Sequence, residues 1–276
     1  MAAVGVLGGL FAGAENASAR TINVNAVAHV AYIGTTSGGF QWAGPVTDPA
    51  LGNGGVQAAL RLVPTGYVGT ATIVDPSGSL TGAVRATVRR HGQLVRFGLT
   101  ADITVATGRF AGARGRLTGT ALVTATLALG SLRLHGTLHG AVGRSPAPPA
   151  ATIVRHVDGR VLAAELSLAR NGIVTVVGSV IGLVPGPAVL VEHGRATTTS
   201  ARGTLTVFAP GGTLTGVFAV RFRGTSGVRP ETGTWTITRG SGDLSGAHTT
   251  SAIALRGTRN LVVEQIAVRI RGAIIL

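Results

Sequence analysis

The chain has 276 residues, enough for one large or two ordinary domains, and 45% of them are hydrophobic, which excludes a disordered polypeptide. It has no cysteine, which rules out disulfide staples, cysteine-based zinc sites and thiol catalysis. All 24 basic residues are arginine against 10 acids, for a formal net charge of +14; such a field attracts polyanions at low salt, while the complete absence of lysine reads as coding bias.

Residues 1–19 carry an apolar run from Ala2 to Ala14 followed by Ala17-Ser18-Ala19. This is the pattern that ends a secretory signal peptide, with cleavage expected before Arg20, although no basic residue precedes the run. The run is too short to cross a bilayer as a helix. The expectation is a protein that is secreted or held in the cell envelope, with no membrane span.

The first repeat, residues 20–143, reads as strand after strand. Thr21 to Gly34 alternates, with Ile22, Val24, Ala26, Ala28, Val30 and Tyr32 on one face. Gly38 to Gly55 reads as a Gly/Pro/Asp loop carrying Trp42. Val56–Val63, Tyr67–Asp75, Ser79–Arg90, Leu94–Val105, Arg116–Leu129 and Ser131–Val142 follow as strands, at the spacing of an antiparallel sandwich or barrel. Residues 144–151 hold three prolines and read as a stiff linker. The second repeat, residues 152–276, has the same texture; only Ala50–Leu62 and Ala188–Ala196 are ambiguous with helix. An outer-membrane barrel is disfavoured, because the aromatic girdles are missing and Arg85 and Arg89 would face lipid.

The two halves are copies. Gly69 to Ala113 aligns with Gly203 to Ala247 at a fixed offset of 134 residues without a gap. Gly69, Thr70, Thr72, Pro76, Gly78, Leu80, Thr81 and Gly82 recur as Gly203, Thr204, Thr206, Pro210, Gly212, Leu214, Thr215 and Gly216. Thr100, Ile103, Thr104, Gly108, Gly112 and Ala113 recur as Thr234, Ile237, Thr238, Gly242, Gly246 and Ala247. Asp75-Pro76-Ser77-Gly78 and Ala209-Pro210-Gly211-Gly212 carry turn chemistry, proline presetting φ and glycine tolerating its positive values. The glycine-rich piece Thr107–Gly115 is not a phosphate cradle, since a strand and not a helix follows it. Gly108, Phe110 and Gly112, with Gly242, Leu244 and Gly246, are expected to form structural corners, Phe110 or Leu244 plugging the core.

Chemistry is sparse. His135 and His139 share a strand face without a third ligand, so no metal site and no cofactor are expected. The acids are scattered singly. Asp102 and Glu165 are the two most embedded in apolar strands, and so the candidate ligand-binding residues; no catalytic set can be assigned. Arg85 aligns with Ala219, Arg96 with Pro230 and Arg109 with Asp243, so the charges read as solvated faces and not as a shared stripe. Polyanion binding through arginine is expected to be weak and without nucleic-acid specificity.

The stretch Ala106–Gly115, led by Ile103-Thr104 and followed by LRLHGTLHGAV, resembles bacterial proteins with an allene oxide cyclase barrel-like domain, relatives of plant dirigent proteins. Ile237-Thr238, Gly240, Gly242, Leu244, Gly246 and Ala247 repeat the pattern, with Thr249 in place of its last glycine. The resemblance implies an eight-stranded antiparallel barrel, often with an apolar cavity, and carries over no active-site residue. The expectation is therefore an all-β chain of two tandem eight-stranded antiparallel barrels. Its expected role is non-catalytic, binding a small apolar ligand or serving as an envelope-associated structural module. The alternative is a cyclase or dirigent-type catalyst that guides a reactive intermediate in the cavity.

Overall fold

The computed structural model describes residues 19–37, 39–91, 94–124, 126, 128–141, 153–168, 171–224 and 226–276. The expected leader up to residue 18 and the linker at 144–151 lie outside the described residues. The strands of the first half are β1 (Ala19–Thr36), β2 (Gly39–Asp48), β3 (Gly52–Val63), β4 (Gly66–Asp75), β5 (Gly78–His91), β6 (Leu94–Gly108), β7 (Arg114–Thr124) and β8 (Leu129–Ala141). Those of the second half are β9 (Val154–Leu168), β10 (Ile173–Ile181), β11 (Ala188–Ala196), β12 (Ser200–Ala209), β13 (Gly212–Phe222), β14 (Val228–Gly242), β15 (Ile253–Asn260) and β16 (Gln265–Ile275). Each set forms its own closed antiparallel barrel: β1 pairs with both β2 and β8, and β9 with both β10 and β16.

The repeated residues are the ones that shape the sheet. At Thr81-Gly82 the register of β5 on β6 slips by one, leaving Thr104 as the extra residue, and the Thr104 hydroxyl donates to the Thr81 carbonyl at 3.3 Å. Thr215-Gly216 and Thr238 repeat this bulge with the same 3.3 Å bond. A bulge bends its strand and sharpens the local twist, which a small barrel needs in order to close. Glycine is required beside it, since a Cβ on Gly216 would lie 2.0 Å from the Thr236 carbonyl oxygen.

The expected corners form in both copies. Gly108 and Gly242 take φ of 61° and 60°, and Gly112 and Gly246 both take 85°, values that suit glycine. Phe110, 3% exposed, plugs the base of the first barrel; Leu244, half-buried, packs against the core of the second. Arg109 is not a solvated charge. Its guanidinium lies over the Phe110 ring and donates to Asp75 and to the carbonyls of Ala50 and Leu51, clasping two turns across the barrel base.

The stretch expected as a loop up to Gly55 is mostly strand, with a turn only at Pro49–Leu51. Residues Gly39–Asp48 pair on both sides, with β1 and β3, and Trp42 points into the barrel. The two segments ambiguous with helix are strands β3 and β11. In β11, Ala188 to Glu192 are buried without interruption, because one face meets the barrel interior and the other meets the sister barrel. Alternation vanishes when both faces are covered.

That second burial is a seam between the barrels. Ala31, Ile33, Ala43 and Val74 of the first pack with Ala164, Val177, Val189 and Val191 of the second. The seam joins like to like. By register, Ala31 is the counterpart of Ala164, Ala43 of Val177 and Gly55 of Val189. Val189 sits directly over Gly55, where a Cβ would fall 2.4 Å from its own. The same face of each copy meets the other, as in an isologous dimer.

Candidate functional site

Inside the first barrel lies a cavity of about 100 Å³, lined among the described residues only by apolar ones, including Val56, Ile73, Leu80, Ala101 and Leu117. Its lining comes from all eight strands and follows from the alternation of each: every second residue must face inward. The base is closed by Phe110 and the Arg109 clasp. Toward the opposite end stands a belt of aromatic rings from β1, β2, β4 and β6. Tyr32 lies 5.9 Å from Trp42 and 6.3 Å from Phe40; Phe40 lies 6.2 Å from Tyr67, and Tyr67 lies 5.6 Å from Phe97, all in tilted or edge-on contact. Such geometry is the favourable one for aromatic pairs. Trp42 and Phe97 are buried, while Tyr32, Phe40 and Tyr67 are half-buried at the rim.

The second barrel fills the same space. Trp235, fully buried, stands at the counterpart of Ala101, and Phe218, Leu205 and Ile270 pack in the same core. Where the first barrel has its apolar end, the second holds charges. Glu165 faces Val176 as Tyr32 faces Trp42, and Val176 faces Glu192 as Trp42 faces Ala58. Glu231 faces Gly257 as Phe97 faces Ala121, and Arg229 faces Arg259 as Val95 faces Val123. Five residues of one apolar wall thus have ionisable counterparts.

These charges are organised around Arg259, which is 3% exposed. It donates to Glu231 at 3.2 Å and to Glu165 in a still shorter bond. Arg229 donates to the carbonyls of Thr198 and Gly224, and both guanidinium groups lie over the Phe222 ring. Glu192 is buried, and its Oε1 has no hydrogen-bond partner among the described residues. Burial pushes the Glu192 carboxyl up to about 8, against the pull of Arg259 and helped by Glu231 and Glu165. At neutral pH it is a neutral carboxylic acid.

Of the two acids singled out from sequence, Glu165 belongs to this cluster. Asp102 lies apart from both interiors: it points outward on β6, half-exposed, with its carboxylate 2.6 Å from Arg116. Arg116 holds the Asp102 carboxyl below the usual range. Plain alternation explains the placement, since Phe97, Leu99, Ala101 and Ile103 on either side of it all line the cavity. Glu192, Glu231, Arg229 and Arg259 were not legible as a group, because three different strands, β11, β14 and β15, bring them together; their inward alternation with Leu190, Trp235 and Leu255 was the available signal.

No family model, curated protein or solved structure matches this chain.

Proposed function

We propose that the first barrel binds one small apolar ligand per chain, and that the second is sealed and binds none. The observation that supports this reading is the contrast between Ala101, which lines the cavity, and Trp235, which occupies the equivalent volume. A dry apolar cavity of about 150 Å³ holds benzene or xenon; this one is smaller, at about 100 Å³, so the ligand, or the part of it inside, is no larger than these. The half-buried Tyr32, Phe40 and Tyr67 mark the end through which it enters. The likeness to allene oxide cyclase barrel-like domains and an exported location are parts of the same proposal. The cyclase-type alternative is less well supported, because it needs a polar group facing the cavity and every lining residue is apolar.

Xenon binding followed by ¹²⁹Xe NMR, with toluene titration as a second probe, tests the reading. One saturable site is expected. Ala101→Trp, which imports the second barrel's own residue, is expected to abolish it. No binding to the folded wild-type chain, or binding unchanged in Ala101→Trp, would refute the proposal.

A further inference from the structure

The outer face of the second barrel carries a row of arginines that its sister lacks. Across adjacent strands, Arg221 pairs with Thr232, Thr232 with Arg256, Arg256 with Arg269, and Arg269 with Arg160. The corresponding row of the first barrel reads Thr87, Gly98, Thr120, Arg133 and Val27. The same backbone is therefore built without three of these four arginines. All four are exposed, and Arg271 stands in the next row.

Three like charges directly opposite one another on neighbouring strands, about 4.8 Å apart, repel. The only acid in the two rows is Asp158, which accepts from Arg269 Nε at 2.7 Å and Nη2 at 2.6 Å and lies 3.5 Å from Arg271. Those two arginines hold the Asp158 carboxyl down to about 2. One fork of the row thus already displays the geometry of bidentate carboxylate recognition. The side chains around it are Thr232, Thr234 and Thr258, which offer hydroxyls, and the methyls of Ala254 and Ala267; none is an aromatic ring on which a base could stack.

We infer that this face binds an acidic polysaccharide, its carboxylates lying along Arg221, Arg256, Arg269 and Arg160 and displacing Asp158 as the partner of Arg269. The test uses the full chain and immobilised polygalacturonate at low salt. A row variant, Arg160→Thr with Arg221→Thr and Arg256→Thr, is compared with Arg85→Thr, Arg114→Thr and Arg133→Thr on the first barrel, which removes the same charge elsewhere. The row variant is expected to weaken binding by about tenfold or more, the control by no more than about threefold. Thermal unfolding checks that both variants are folded. Equal weakening in both would overturn the inference, leaving only the diffuse field of the molecule. Tighter binding of oligo-dT than of polygalacturonate would overturn it in favour of nucleic acid.

Discussion

Glu192 shows how much one side chain can depend on its surroundings. Its counterpart in the first barrel is Ala58, which lines the cavity, so nothing about the backbone demands a carboxyl there. Its folded value of about 8 lies above the ordinary 4.5, so the folded state holds the proton more tightly than the unfolded chain. The stability this represents is complete below about pH 4.5 and is lost as pH rises toward 8, at up to about 1.4 kcal/mol per pH unit. Glu192→Gln, which mimics the protonated acid, is expected to match the wild type at acid pH and to exceed it at pH above about 8; urea midpoints across that range are the measurement. Arg259 responds in the opposite sense to removal. Arg259→Ala leaves Glu165 and Glu231 without their shared partner and is expected to cost about 3–5 kcal/mol, read from the same unfolding curves. Glu165 stood out in the sequence as an acid embedded in an apolar strand, but its partners did not, because Glu165, Glu192 and Glu231 are separated by dozens of residues.

At the scale of the element, the repeated motifs turn out to be instructions for bending a sheet. Leu-Thr-Gly and Ile-Thr mark the two sides of one bulge, and the glycines at 108, 112, 242 and 246 make the corner after it. Gly242→Ala is expected to destabilise the second barrel by about 1 kcal/mol or more, because a Cβ there would lie 2.1 Å from the Gly211 carbonyl oxygen in a backbone region that disfavours side chains. Differential scanning calorimetry gives the shift. These corners, the barrel class and most strands were readable because period-two alternation and turn chemistry are local signals. Strand β2 was missed because Gly44 and Pro45 resemble a turn; in fact Gly44 sits where a Cβ would fall 1.8 Å from the His29 carbonyl oxygen, a close approach and not a turn. Strand β11 was ambiguous for a different reason: its second apolar face is covered by another barrel, which no local pattern announces.

At the scale of the whole molecule, two barrels of one ancestry have been given different interiors and different exteriors. The first is hollow and ringed with aromatics; the second is packed around Trp235 and bears the arginine row. The centre of the seam between them is apolar, so Val189→Asp is expected to part the barrels while leaving each sheet closed. A larger radius of gyration in X-ray scattering, with the far-ultraviolet circular dichroism spectrum unchanged, is the expected result; a collapse of both signals would mean that the seam is needed for folding.

The like-to-like seam has one further consequence. Two separate polypeptides meeting this way must share a gene, and every change made on one side reappears on the other. Once tethered in a single chain, the partners associate at any dilution, and each can accumulate its own substitutions. A tryptophan can then seal one interior while an alanine keeps the other open, a division of labour closed to a homodimer.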